Sequence, residues 1–567
     1  MLPFERSLGA TPAQDGTVEF RAWAPRAQTV AVRVHGCDHD LKAVGHGVHE
    51  ASVRTRSGAD YWFVLDGQAL PDPWSRWQPE GVRGPSRVLD PSTFHWRAQQ
   101  RPRPGLAELV VYELHVGTFT DAGTFAALKP HLRGLRELGV TAIELMPVAE
   151  FDGARGWGYD GVHISAAYSR YGGPLALQEL IDAAHEADLA VILDVVYNHV
   201  GAAGVKTMEA YGPFFTDRHD TFWGKAINYD DEDCDAVREW VIQSAEGWVR
   251  DFRMDGLRLD AIHAIHDESA RPILRELAAR VHAVDAEALV IAESDLNDPR
   301  VITPTGHGLD AQWADDFHHS LHALLTGERD GYYADYGAIA DLAKAFRRPF
   351  VYDGCYSSVR RRRFGAPADE CPTERFVVCS QNHDQVGNRA AGDRLPEHAR
   401  SLAAFCVLLS PFIPMLFMGE EYGEQAPFQY FCDHDDPELA EAVRSGRRRE
   451  FARFAGYGVD ELPDPLAPET FARSKMRRER DARIGALYAE LLRARRELPR
   501  GDAGEIAFDE HARWLRVRRG EWQLVCSFAA QPALVPCVAS ELRLATGDAQ
   551  LADGGVRLGA LSGALVR

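Results

Sequence analysis

The sequence predicts a multidomain α/β protein: a central (β/α)8 TIM barrel between an N-terminal β-sandwich and a small C-terminal β domain. Two patterns carry that expectation. From 107 to 500, short Val/Ile/Leu-rich runs alternate with stretches of helical period, as strands covered on both faces by crossover helices must. Over 1–96 and again over 501–567, the helical period is absent and short alternating runs bounded by turn residues replace it.

The elements follow in order. VEFRAWAP, TVAVRVHG and DYWFVLDG read as strands of the sandwich. That region closes on LPDPWSRWQPEGVRGPSRVLDP, where Trp74 and Trp77 either stack on a ligand or seal a joint between domains. The linker RAQQRPRPGLAE leads into the barrel, whose strand candidates are 109–116, 141–148, 189–198, 256–262, 289–294, 309–317, 375–384 and 412–421. Eight such units point to a closed barrel rather than an open sheet. TFAALKPHLRGLRELG, DAVREWVIQSAEGWVRDF and ARPILRELAARVHAVDA space apolar residues at three and four, as amphipathic helices do. No GxGxxG follows the first strand, which argues against a dinucleotide. DARIGALYAELLRARREL ends the barrel region, and HARWLRVRRG, EWQLVCSFAA and ELRLATGD are strands of the last domain.

Charge and cysteine usage narrow the class. A net charge of −21 over 567 residues opposes binding to nucleic acid or anionic membranes. The N-terminus shows no basic region followed by an apolar one, and no stretch is long and apolar enough to span a bilayer. Nine scattered cysteines without a CxxC pair read as reduced thiols, so a cytoplasmic location and no metal are expected.

Three acids stand where apolar runs end: Asp260 in GLRLDAIHAI, Glu293 in LVIAESD and Asp384 in VVCSQNHDQVGNR. Carboxylates at the strand ends of a barrel build active sites. Two of them, one ionised and one protonated, are the equipment for breaking a glycosidic bond. Arg258 lies two residues before Asp260, on the same side of a strand, and would keep it ionised. The apolar run before Glu293 would raise its pKa, as a general acid requires. Asn198, His199, His383, Gln385 and Asn388 cluster with the acids and suit sugar hydroxyls. Asp194 reads as a structural partner for Arg258.

The segments DVVYNHV, GLRLDAIHAI, AESD and SQNHDQ resemble the four signature regions of the α-amylase family of glycoside hydrolases. The resemblance implies that Asp260 is the nucleophile, Glu293 the general acid/base and Asp384 the transition-state stabiliser. It implies substrate contacts for Arg258, His199 and His383, and a sugar-stacking role for Tyr159 in RGWGYDG. The N-terminal sandwich resembles the carbohydrate-module-like domain of branching and debranching members.

RGWGYDGVHISAAYSRYGGP, FWGKAINYD, MGEEYGEQAPFQYFCDHDDPEL and LAPETFARSK resemble the members that act on malto-oligosyltrehalose. That resemblance implies hydrolysis of the α-1,4 bond next to the terminal trehalose, release of trehalose, and functional coupling to a malto-oligosyltrehalose synthase. WADDFHHS places Asp315, Asp316, His318 and His319 near the barrel mouth, as metal ligands or sugar contacts. The resemblance favours sugar contacts for Asp316, His318 and His319. His263 reads as a contact to an adjoining sugar or as packing. After His199 the connection is short and poor in carboxylates, so no metal and no cofactor are expected, although Asn198 matches a calcium-ligand position of amylases. Two other readings stand beside this one: a glycogen branching enzyme on the same fold, and a non-catalytic glucan-binding protein.

Overall fold

Eight parallel strands pair in sequence order and close on themselves. The computed structural model describes residues 1–221, 223–451 and 462–567. The strands are β1 (Val111–Leu114), β2 (Ala142–Leu145), β3 (Ala190–Val195), β4 (Gly256–Leu259), β5 (Leu289–Ala292), β6 (Ala311–Trp313), β7 (Phe376–Cys379) and β8 (Ile413–Phe417). Each lies within a run expected to be a strand. Closure comes from β1 pairing with β8 through Val111↔Met415 and Glu113↔Phe417. Nearly every strand residue is buried, because side chains fill the interior on one face and meet the helices on the other.

The first crossover helix, Phe125–Leu138, illustrates the local logic. Thr124 caps it by accepting the Ala127 N–H, and Gly139 ends it in the left-handed region at φ +118°. Phe125, Leu128, Leu132 and Leu135 form its buried stripe. Cys234–Asp251, Ile273–Val284 and Ala482–Arg495 are helices where the periodicity places them. The connection from β5 to β6 carries only a 3-10 turn, Pro299–Val301, among the described residues.

Two predicted boundaries are corrected. The run 375–384 is not strand throughout: β7 stops at Cys379, and Asp384 sits in a short helix, His383–Gly387, capped by Asn382. WADDFHHS is likewise not a strand end. β6 stops at Trp313, and Asp315–Thr326 is helical. A helix turns successive residues about 100° apart, so those four side chains cannot share one direction.

Antiparallel sheets flank the barrel, within Gly9–Arg87 on one side and Ile506–Val566 on the other. Trp74 is buried edge-on against Phe214 and seals the joint, while half-buried Trp77 lies under the Arg87 guanidinium at 5.1 Å. The linker is tied down. Arg101 and Arg103 both pair with Asp285, at 2.7 and 2.5 Å. Residues 452–461 of the expected barrel domain and Phe222, the first residue of FWGKAINYD, lie outside the described residues.

Candidate active site

The C-terminal ends of β3, β4, β5 and β6 converge on one guanidinium. Arg258 projects from β4 and is fully buried. Its Nη1 lies 2.7 Å from Asp194 on β3 and 2.9 Å from Asp260 just past β4. Its Nη2 lies 2.9 Å from Glu293 Oε2 just past β5, an ion pair whose angles fall short of a hydrogen bond. The Trp313 ring lies 4.2 Å beneath it. Four groups from four strands are thereby held by one rigid cation.

Asp260 is fixed on its other oxygen by the Asn198 amide at 2.6 Å. Glu293 Oε2 accepts the Ala261 N–H at 2.6 Å. Ala261 adopts the left-handed conformation, φ 38°. A non-glycine residue there costs about 1–2 kcal/mol, so backbone strain is stored next to the acids. Burial pushes the Glu293 carboxyl well above the usual range. Arg258 opposes the rise, and the Asp260 and Asp384 charges add to it.

A second chain of contacts begins at β1. Glu113 accepts both the His383 N–H, at 2.9 Å, and the His383 ring, at 2.5 Å. The other ring nitrogen lies 2.7 Å from the Tyr159 hydroxyl, which donates to Asp194 at 2.6 Å. Burial favours a neutral imidazole, but the Asp384 and Glu113 carboxylates outweigh it and raise the His383 pKa to about 10. Asp384, one residue on, is held by Asn388 at 3.0 Å. Glycine permits this close packing. A Cβ on Gly387 would fall 2.1 Å from the Trp157 ring, and one on Gly158 2.1 Å from the Pro147 carbonyl.

The expected contact residues divide into four groups. Asp260, Glu293, Asp384, Arg258, Tyr159, His383 and Asn388 come together, with His263 beside Asp295 at 3.8 Å. Asn198 and His199 are present, but their polar atoms face the protein. Asn198 serves Asp260, and His199 contacts the Asn198 side chain and the Tyr159 carbonyl while stacking on Trp223. Asp316 and His318 do not reach the cleft. Asp316 accepts from Asn297, Tyr336, Val351 and Tyr352, and His318 spans the Ser380 carbonyl and the Tyr333 hydroxyl. Their expected role as sugar contacts is corrected on that ground: every ring nitrogen and carboxylate oxygen is already used inside. His319 differs, since its buried Nδ1 has no partner and its ring packs on Tyr332 at 4.6 Å. Gln385 meets the Tyr332 hydroxyl at 3.3 Å.

Sequence reasoning missed Glu113, Trp313 and the orientation of Asp315, the residue of WADDFHHS whose carboxyl is raised to about 7 by burial and by Asp384. The signal for Glu113 was available: an acid inside the apolar run LVVYELHV. Among the described residues, no group of three or more His, Cys, Asp or Glu is arranged to hold a metal ion.

A closed barrel that offers a hydrogen-bonded Asp, a buried Glu and a third carboxylate at its strand ends is the apparatus of an α-amylase-type glycosidase. Residues 114–226 match the alpha amylase catalytic domain, and 499–565 match a domain of unknown function, DUF3459. A malto-oligosyltrehalose trehalohydrolase from Rhizobium sp. (strain M-11) is 44% identical over 98% of this chain and 99% of its own. One from Saccharolobus solfataricus is 44% identical over 89% and 90%. The crystal structure of a putative alpha amylase from Salmonella typhimurium superposes with a TM-score of 0.90 at 38% identity, covering 99% and 100% of the two chains. The chain belongs to the malto-oligosyltrehalose trehalohydrolase family.

Proposed function

We propose that this glycosidase hydrolyses the α-1,4-glucosidic bond next to the terminal trehalose of malto-oligosyltrehalose, with retention, releasing trehalose and a shortened malto-oligosaccharide. The observation that carries the mechanism is the placement of Asp260 and Glu293 on adjacent nitrogens of Arg258. This suits the carboxylate separation of about 5–5.5 Å used in double displacement. Asp260 attacks the anomeric carbon while Glu293 gives its proton to the departing trehalose oxygen. The bond to trehalose breaks and an Asp260 ester forms. Glu293, now ionised, takes a proton from water, and the hydroxide oxygen displaces Asp260. Asp384 holds hydroxyls of the distorted ring, and Tyr159 offers a face to it. Asn388, Gln385, His263 and His319 contact sugar, while Asn198, His199, His383 and Arg258 position the reacting groups.

The names of the full-length relatives support this substrate, and a synthase that makes malto-oligosyltrehalose is the functional partner. The nine free cysteines support a reducing cytoplasm, and no described helix is long and apolar enough to cross a membrane. The test compares products from malto-oligosyltrehalose and from a malto-oligosaccharide of equal length. Trehalose from the first and slow attack on the second are expected. New α-1,6 branches on amylose would overturn the reading in favour of a branching enzyme.

A further inference from the structure

The opposite end of the barrel carries a cleft of about 800 Å³, remote from the strand ends that hold the acids. Val110, Thr141 and Ile413 line it, at the starts of β1, β2 and β8. Three other segments complete it: the linker at Arg103, the helix ending at Arg495, and Arg519 of the C-terminal domain. Its size is that of a small-molecule site.

The charge balance of this cleft is unlike that of the molecule. Several lining ions are already paired. Arg136 meets Asp188 at 2.5 Å, Arg500 meets Glu108 at 2.8 Å, and Arg103 meets Asp285 at 2.5 Å. Glu137 is taken by Arg133 at 3.0 Å. Arg495, Arg496 and Arg519 line the cleft with no carboxylate within 4.0 Å among the described residues, against a single unpaired acid, Glu374. This surplus of cations stands in a protein of net charge −21.

The bland account covers part of it. Arg495 donates to the carbonyls of Leu408, Ser410 and Phe412, and Arg519 to those of Leu409 and Pro499. Both therefore close the C-terminal end of the helix Glu397–Leu408. Capping leaves their charge in place, and a partner remains wanting. Arg519 is 4% exposed, and its Nε has no hydrogen-bond partner. Arg496 makes no side-chain contact to an acceptor and extends over Gly139, where an added Cβ would lie 3.3 Å from its Nη2. Burial and the neighbouring Arg519 charge lower the Arg495 pKa to about 9, and burial lowers that of Arg519 to about 10. Two cations crowded without a counter-ion are thus held at a cost that a bound anion relieves.

We propose that this basal cleft is a binding site for a phosphate dianion, free or carried on a small sugar ester, held by Arg495, Arg496 and Arg519. The uncommitted Arg496 fork matches two phosphate oxygens, while Arg495 and Arg519, whose terminal nitrogens already donate to carbonyls, contribute mainly their charge. An anion there bridges the linker, the barrel and the C-terminal domain, so its binding is linked to stability.

The experiment titrates the full chain with inorganic phosphate, with a hexose monophosphate and with the neutral hexose, chloride being used to hold ionic strength constant. Calorimetry and the thermal midpoint are read. Saturable binding with a rising midpoint is expected for one or both phosphates and none for the hexose, and the arm that binds tighter identifies the source. Arg496→Glu, exposed and unpaired, should weaken binding at least tenfold while hydrolysis stays within about twofold. Arg519→Gln should weaken it too, with some loss of stability from the freed carbonyls. No saturable phosphate effect, or undiminished binding in Arg496→Glu, would overturn the proposal.

Discussion

Arg258 Nη2 lies 2.9 Å from Glu293 Oε2. A cation so close should hold the carboxyl ionised, yet the Glu293 pKa is raised, because burial and two neighbouring carboxylates outweigh one guanidinium already shared with Asp194 and Asp260. The carboxyl is therefore pushed towards its neutral form while the same arginine orients it.

Glu293→Gln keeps the shape and loses the proton. We expect kcat on malto-oligosyltrehalose to fall by about 10²–10⁴ with KM changed little. Steady-state kinetics together with calorimetric binding checks it, and a variant that hydrolyses normally would show that the acid is misassigned.

Arg258→Met leaves Asp194, Asp260 and Glu293 buried together without their cation. Breaking a buried ionic cluster from one side costs about 3–5 kcal/mol. Urea unfolding should report that loss, and activity should vanish with it.

Asn198→Ala removes the amide that fixes one oxygen of Asp260. Misplacing a nucleophile by about 1 Å costs on the order of 10²-fold. The fall should appear in kcat, since both nitrogen contacts of Asn198 go to Asp260 and none to solvent. A rise in KM alone would return Asn198 to the role of sugar contact.

His383 couples stability to pH. Its pKa is raised from 6.5 to about 10 in the folded chain. A raised group stabilises fully below its unfolded pKa, so the contribution is present below about pH 6.5 and is lost as pH rises through about 10. Glu113→Gln removes one of the two carboxylates that raise it. The denaturant midpoint of the parent should therefore fall across that window more steeply than that of the variant.

His318 and His319 should separate cleanly. His318→Ala strands the Ser380 and Tyr333 partners and should cost about 1–3 kcal/mol in thermal unfolding, with little change in KM. His319→Ala, whose Nδ1 has no internal partner, should raise KM up to about tenfold, the worth of one hydrogen bond. Equal effects of the two on stability would contradict the assignment.

Much of this was legible in the linear chain, for identifiable reasons. A run such as LVIA, or GLRL apart from its Arg258, is apolar because both faces of a barrel strand are covered, so strand identity is written locally. Asp260 and Glu293 each follow such a run directly, and the strand end is a local feature too. Asp384 lies beside the other acids although its strand stops five residues earlier; the acid, rather than the secondary structure around it, carried the expectation. WADDFHHS misled for the complementary reason: its residue types suit a site, but the helical turn directs Asp316 and His318 into the interior.

The sequence by itself therefore determined the barrel, its order of strands and the acids at its mouth, since hydrophobic period and strand termini are short-range properties. Only the tertiary structure decided who serves whom. Glu113 meets His383 across 270 residues, and Asn198 meets Asp260 across 62. These pairings depend on which strands become neighbours when the sheet closes, and on a left-handed Ala261 that packing alone can impose. The raised pKa of Glu293 belongs to the same class, because it is set by the charges and the low-polarity walls that closure brings around it.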